Sequence, residues 1–348
     1  MFWNLNRNSR EPDMRELSQL FVDFFSYAAA QRGTTLDAPA LCKAFPQNAQ
    51  WLLEQFHGQY ENRKKLQEAV YELFLLPPVR RRAIAHAVAN DMSFDTAPDP
   101  SRFFFAVPAL PPQEQSIVEE FFKYFYETAF MRKRGPTING SVSGATRTEF
   151  TKAYYQANDS ILHACPICLC PMSNVVKENE LEHYFPKSVY APLYLHPSNL
   201  IFICPSCNRA YKKADDILHM GKRPLSSVFL PYRDTVKEHT KVVFRRNANR
   251  DCVKLLAVDG SADKKKKISN FNQLYHLEER WSFDLERIFE QLRKTCAGQN
   301  WSKEEVRRRL KENCETLQAL TEFPDKFLER EYLSWLYETM FDAFYDSL

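Results

Sequence analysis

The sequence predicts an α+β fold, mainly α, in which helical regions flank a small cysteine-stapled module near the middle of the 348 residues. Three observations predict it. Apolar residues recur at helical spacing through the first 134 residues and again near the C-terminus. Two Cys-x-x-Cys pairs, Cys165/Cys168 and Cys204/Cys207, enclose the middle. Short strand-like runs lie around and just after these pairs.

Residues 1–134 read as a helical N-terminal domain. Met14, Leu17, Leu20, Phe21, Phe24, Phe25 and Ala28 mark one helix face over Met14–Ala30. Leu66–Leu76 and Val79–Ala89 read as further helices parted by Pro77-Pro78. Ser116–Arg132 reads as a helix capped by Ser116 and Glu119, with Val118, Phe121, Phe122 and Phe125 forming a bundle core. Gly135–Thr146, the one Gly/Ser/Thr-rich stretch, reads as a linker over 135–146. A compact unit follows at 147–232. The region 233–348 opens with strand-like runs at Lys241–Arg245 and Val253–Val258 and a turn at Asp259-Gly260. It then returns to helix, with a capping box at Ser302–Glu305 and an aromatic tail over Leu328–Leu348.

Composition excludes several function classes. None of the eight glycines falls into G-x-x-x-x-G-K or G-x-G-x-x-G, so neither a phosphate-binding loop nor a dinucleotide turn is expected. No apolar run approaches the ~18 residues of a membrane span. The first residues lack the apolar stretch of a signal peptide, and a cytoplasmic protein is expected. The net charge is only +3, but Cys204–Ile268 holds 16 Lys/Arg against 7 Asp/Glu. A basic middle in an otherwise mildly acidic chain is an electrostatic footprint for a polyanion.

Nine cysteines without a secretory leader argue against a disulfide framework. Each Cys-x-x-Cys pair forms a tight knuckle aiming two sulfurs at one point. Two knuckles complete a tetrahedral, closed, structural Zn²⁺ site of Cys165, Cys168, Cys204 and Cys207. Cys170 and His163 are close enough in sequence to replace a ligand of the first knuckle.

Between and after the knuckles stand Glu182-His183-Tyr184-Phe185-Pro186-Lys187-Ser188, Asn199-Leu200 and Cys204-x-x-Cys207-Asn208 with Lys212. This order resembles the HNH endonucleases, in their subgroup with zinc knuckles, over about 50 residues from Cys165 to Lys213. Weaker likeness to HNH proteins of bacterial defence and restriction systems extends to Phe229–Tyr232 and Asn270–Leu277. The resemblance implies a ββα-metal finger and hydrolysis of DNA phosphodiester bonds. It makes His183 the general base and Glu182 and Asn208 the ligands of a catalytic Mg²⁺ or Mn²⁺. Asn199 braces the loop that presents His183, and Arg209, Lys212 and Lys213 contact the nucleic-acid backbone. A helix N-terminus near Asn208 adds a field favourable to phosphate. Glu182, where many members have Asp, and the amide Asn208 leave the choice of metal open. A role against foreign DNA beside a partner ATPase also follows from the resemblance, with the flanking regions supplying target binding, oligomerisation or docking.

Two other readings remain: a non-catalytic zinc-dependent adaptor for nucleic acid or protein, and an HNH nuclease acting on RNA. His196, His219 and His239 read as ordinary residues, and Tyr184, Phe185 and Tyr211 as packing. The basic triplets Arg80–Arg82, Arg132–Arg134 and Arg307–Arg309 read as solvated helix faces.

Overall fold

A computed structural model describes residues 2–57, 63–131, 137–138, 141–142, 146–159, 163–173, 179–213, 215–247, 250–299 and 301–348. The fold is α+β and mainly α, with 61% helix and 8% strand. In chain order come α1 (Glu11–Ala30), α2 (Ala38–Ala44), α3 (Ala49–His57), α4 (Lys64–Leu75), α5 (Pro78–Met92) and α6 (Pro112–Phe125). A π-helical turn, Tyr126–Phe130, extends α6. Then follow β1 (Thr137–Ile138), β2 (Ser141–Val142), α7 (Arg147–Ala157), β3 (Glu180–His183), β4 (Leu200–Ile203) and a π-helical segment, Ser206–Lys212. The remainder is α8 (Val236–His239), β5 (Thr240–Asn247), β6 (Arg250–Ala257), α9 (Ala262–Tyr275), α10 (Leu277–Ala297), α11 (Lys303–Gln318), α12 (Phe327–Thr339) and α13 (Phe341–Tyr345). Among the described residues the strands form two-stranded antiparallel pairs, β1–β2, β3–β4 and β5–β6.

The aromatic stripes are core. Phe21 stacks on Phe125 at 4.6 Å, and Phe24 on Phe121 at 5.1 Å, fastening α1 to α6. Offset ring pairs of this kind add to the apolar area they bury. α5 begins at Pro78, where the missing N–H costs nothing because the first helical donors have no intrahelical partner. The same rule displaces the expected start at Ser116. α6 opens four residues earlier, with Pro112 in its first turn, and Ser116 lies inside the helix. The Ser302 cap does form, its Oγ accepting from Glu305 N at 3.2 Å.

Arg81 corrects the reading of its triplet as a solvated face. Its side chain is buried and donates to the carbonyls of Ala28 and Gly33, both at 3.1 Å, closing the C-terminal end of α1. The triplet Arg132–Arg134 lies outside the described residues.

One hydrophobic core runs through the expected boundaries at 134, 147 and 232. Phe94 and Phe105, from the segment after α5, pack on Phe185 and Tyr190 at 5.6 and 4.6 Å. Phe2 donates its N–H to the Pro166 carbonyl at 2.8 Å and sets its ring edge-on to Trp281 of α10 at 4.8 Å. The first residues therefore thread between the first knuckle and the C-terminal helices. Among the described residues, no helix is long and apolar enough to cross a membrane.

Candidate functional site

The two knuckles meet. In the first, Leu169 N donates to Cys165 O at 2.9 Å and Cys165 N to Cys170 O at 2.8 Å, with Leu169 at φ +64° completing the turn. In the second, β4 ends at Ile203 and the chain turns at once into the π-helical segment that carries Cys207. All four sulfurs lie within 4.8 Å of one another and the four residues are buried. Cys165–Cys207 and Cys168–Cys204 are each separated by 3.8 Å between sulfurs. Four thiolates about 2.3 Å from a tetrahedral ion stand about 3.8 Å apart. The cluster could thus hold a metal ion such as zinc. Arg280 of α10 donates to Cys207 Sγ at 3.2 Å, and Trp281 Nε1 donates to the Cys168 carbonyl at 2.9 Å. Both brace the knuckles from a helix more than 70 residues downstream of Cys207, with no local signal in the sequence. Cys170 Sγ lies 3.2 Å from Cys168 Sγ but is outside the four-sulfur set, and His163 is exposed.

Beside this cluster, β3 and β4 pair with Glu180 opposite Ile203 and His183 opposite Leu200. Strand pleating sends Glu180 and Glu182 to a first face and Leu181 to a second. On the first face, Asn208 Nδ2 donates to Glu180 at 2.8 Å, and Arg209 pairs with the same carboxylate. Glu182 pairs with Lys212, whose side chain is 1% exposed. Asn208 therefore meets Glu180 directly, while Glu182 meets Lys212. Glu180 was missed in the sequence, although its spacing of two from Glu182 on a strand was a usable signal.

His183 is 5% exposed at the end of β3. Its Nε2 lies 3.0 Å from the Tyr194 carbonyl. A carbonyl only accepts, so Nε2 carries the proton and Nδ1 the lone pair. The ring packs against Tyr126 at 5.1 Å and Tyr194 at 5.8 Å. Asn199 bridges the same loop: Oδ1 accepts from Phe185 N at 2.7 Å, and Nδ2 donates to the carbonyls of Phe185 and Leu193, both at 3.1 Å. It ties the chain after His183 to the turn carrying Tyr194. That turn is anchored in the N-terminal region, where Asp95 accepts from Ser198 Oγ at 2.5 Å and pairs with Arg15 of α1.

Comparisons with protein-family models, with characterised proteins and with solved structures found no match.

Two sequence expectations change. Lys212 is not a backbone clamp: its ammonium is buried against Glu182 and does not reach solvent. Arg209 and Lys213 are exposed, Arg209 being paired with Glu180. The segment holding Asn208 is a seven-residue π-helix, too short to offer the phosphate-binding helix terminus expected there.

Burial drives the His183 pKa down to about 3, helped by the positive charges of Lys187 and Lys212 and opposed by the bond to Tyr194. Burial likewise lowers His196, to about 4, although Asp95 opposes it. The unfolded chain binds more protons than the folded one between the ordinary histidine value of about 6.5 and these folded values. Stability from both residues is full above about pH 6.5 and declines as pH falls through that window. The melting temperature is expected to drop from pH 7 to pH 5. His196→Asn is expected to flatten that drop, measured by circular dichroism; an unchanged slope would show that His196 does not titrate on unfolding.

Proposed function

We propose that this chain is a metal-dependent HNH-type endonuclease that hydrolyses DNA phosphodiester bonds. One observation carries the reading. A carboxylate pair, a carboxamide and a neutral histidine with a defined tautomer lie on one strand pair and the short helix after it, beside four sulfurs spaced for zinc.

His183 acts as general base. Its Nδ1 takes a proton from water, the resulting hydroxide bonds to phosphorus, and the bond to the 3′ oxygen breaks; that oxygen takes a proton from a second water, leaving a 3′ hydroxyl and a 5′ phosphate, and His183 returns its proton to solvent. The Tyr194 carbonyl holds the tautomer, and Asn199 holds the loop that carries that carbonyl. Glu182, Glu180 and the Asn208 Oδ1 would supply the oxygen donors for Mg²⁺ or Mn²⁺. When bound, such an ion supplies charge stabilisation at the phosphate and the departing oxygen. Lys212 compensates the charge of Glu182 in the structure. In this reading the protein acts against foreign DNA with a partner ATPase; a purified monomer that cuts unaided would remove the partner.

The burial of His183 and the closed Lys212–Glu182 pair favour a second reading, a zinc-stapled adaptor that binds without cutting. Supercoiled plasmid incubated with and without Mg²⁺ or Mn²⁺ separates them. Wild type is expected to nick only with the metal, and Glu182→Gln to be about a hundredfold slower while keeping its zinc. Binding with no metal-dependent nicking would establish the adaptor. Competition between single-stranded RNA and duplex DNA assigns the substrate.

A further inference from the structure

Lys187 lies four residues beyond His183, just after Pro186. Its ammonium stands 4.8 Å from the Tyr126 ring centroid and 5.3 Å from that of Tyr194. These are the two rings that pack on His183. Among the described residues no carboxylate pairs with Lys187; the nearby Glu182 is engaged by Lys212. Burial lowers the Lys187 pKa, with Glu182 and Glu127 opposing that shift, so the group lies within electrostatic reach of the candidate metal ligand.

A half-buried cation usually has a carboxylate partner, because taking an ammonium out of water is costly. The two aromatic faces and the more distant Glu182 and Glu127 offset part of that cost, and among the described residues no carboxylate closes over the solvent-facing side of the ammonium. That open side is positioned to take an anion. The position is also paid for elsewhere in the chain: Tyr126 belongs to the π-helical turn that prolongs α6, so the N-terminal helical region builds one wall of the site. Turns of this type recur at functional sites.

We propose that Lys187, steadied by Tyr126 and Tyr194, binds a non-bridging oxygen of the DNA phosphate that lies beside His183. The proposal rests on the nuclease reading. It also gives residues 1–134 a direct part in the site, since Tyr126 comes from them.

Lys187→Met keeps the aliphatic stem between the two rings and removes the charge, and Lys187→Arg restores a cation. The full-length, zinc-loaded proteins are titrated with a short fluorescein-labelled DNA duplex across a KCl series without Mg²⁺, and cleavage is followed separately with Mg²⁺. Lys187→Met is expected to bind about tenfold more weakly at moderate salt. Its slope of log K against log salt is expected to fall by about 0.9, the counterion equivalent of one phosphate. Lys187→Arg is expected to keep the wild-type slope. In cleavage, the loss in Lys187→Met is expected mainly in KM. Zinc content and melting temperature check that the fold is intact; were Lys187→Met to lose either, Lys187→Gln at the same temperature replaces it. A wild-type slope and KM in the charge-free variant would overturn the subsite while leaving cleavage, and the nuclease reading, standing. A lost phosphate equivalent in a chain whose wild type never cuts would overturn the nuclease reading and keep the subsite.

Discussion

Replacing His183 with alanine is expected to lower the rate of plasmid nicking about a thousandfold, within the 10²–10⁴ range of a positioned general base. Two features make the effect large and one limits it. Nδ1 is the lone-pair nitrogen because Nε2 donates to the Tyr194 carbonyl. Burial lowers the pKa of the imidazole to about 3, which keeps it neutral but makes it a weaker base than an ordinary histidine. The ring is clamped between Tyr126 and Tyr194, and His196 is itself enclosed near Asp95, so it does not take its place. The substitution strips the Tyr194 carbonyl of its donor, which costs about 1–3 kcal/mol of stability. Zinc content and DNA affinity are expected to survive. The rate of the wild type is expected to show no acid limb near the ordinary imidazole value of about 6.5, because protonation of His183 is displaced to lower pH. Equal nicking by His183→Ala and wild type would place the activity elsewhere.

The second large effect is expected at the knuckles. Cys204→Ser is expected to abolish tight binding of about one zinc per chain and to prevent cooperative folding. Structural zinc contributes apparent free energies of about 10–16 kcal/mol in small zinc-binding peptides. Whole domains are stable by only about 5–15 kcal/mol. Here the cluster is also tied into the rest of the molecule. The first knuckle takes a bond from Phe2 N at Pro166 and another from Trp281 at Cys168, so it joins the N-terminal residues to α10. Losing the ion would leave four buried thiols and loosen both ends of the chain. The measurement is metal content by atomic emission, followed by thermal unfolding before and after a strong chelator. A chain without zinc that melts cooperatively and ignores the chelator would remove the structural-metal claim. Arg280, which donates to Cys207 Sγ, compensates part of the charge of four thiolates, a role no spacing near the cysteines could have revealed.

The legible features were local ones. Cys-x-x-Cys knuckles, the Ser302 cap and the aromatic stripe of α1 each depend on residues within a few positions of one another. Ser116 shows where local reading loses: Pro111-Pro112 offers an equally good helix start earlier, and packing of Phe121 and Phe122 on α1 extends the helix through Ser116. Glu180 stood in plain view at the strand period, but only the helix returning beside β3 reveals that Asn208 selects it.

The sequence alone established the residue types: four thiols in two knuckles, a Glu-His pair, two asparagines and a basic stretch, inside a mainly helical chain. Tertiary structure decided which of these meet. It brought the four sulfurs together, paired Glu180 with Asn208 and Glu182 with Lys212, buried Lys212 and placed Tyr126 over His183. The physical reason is that ligand geometry, strand pleating and desolvation act over a few ångströms in space. The partners they join are tens of residues apart along the chain, where periodicity and propensity carry no information.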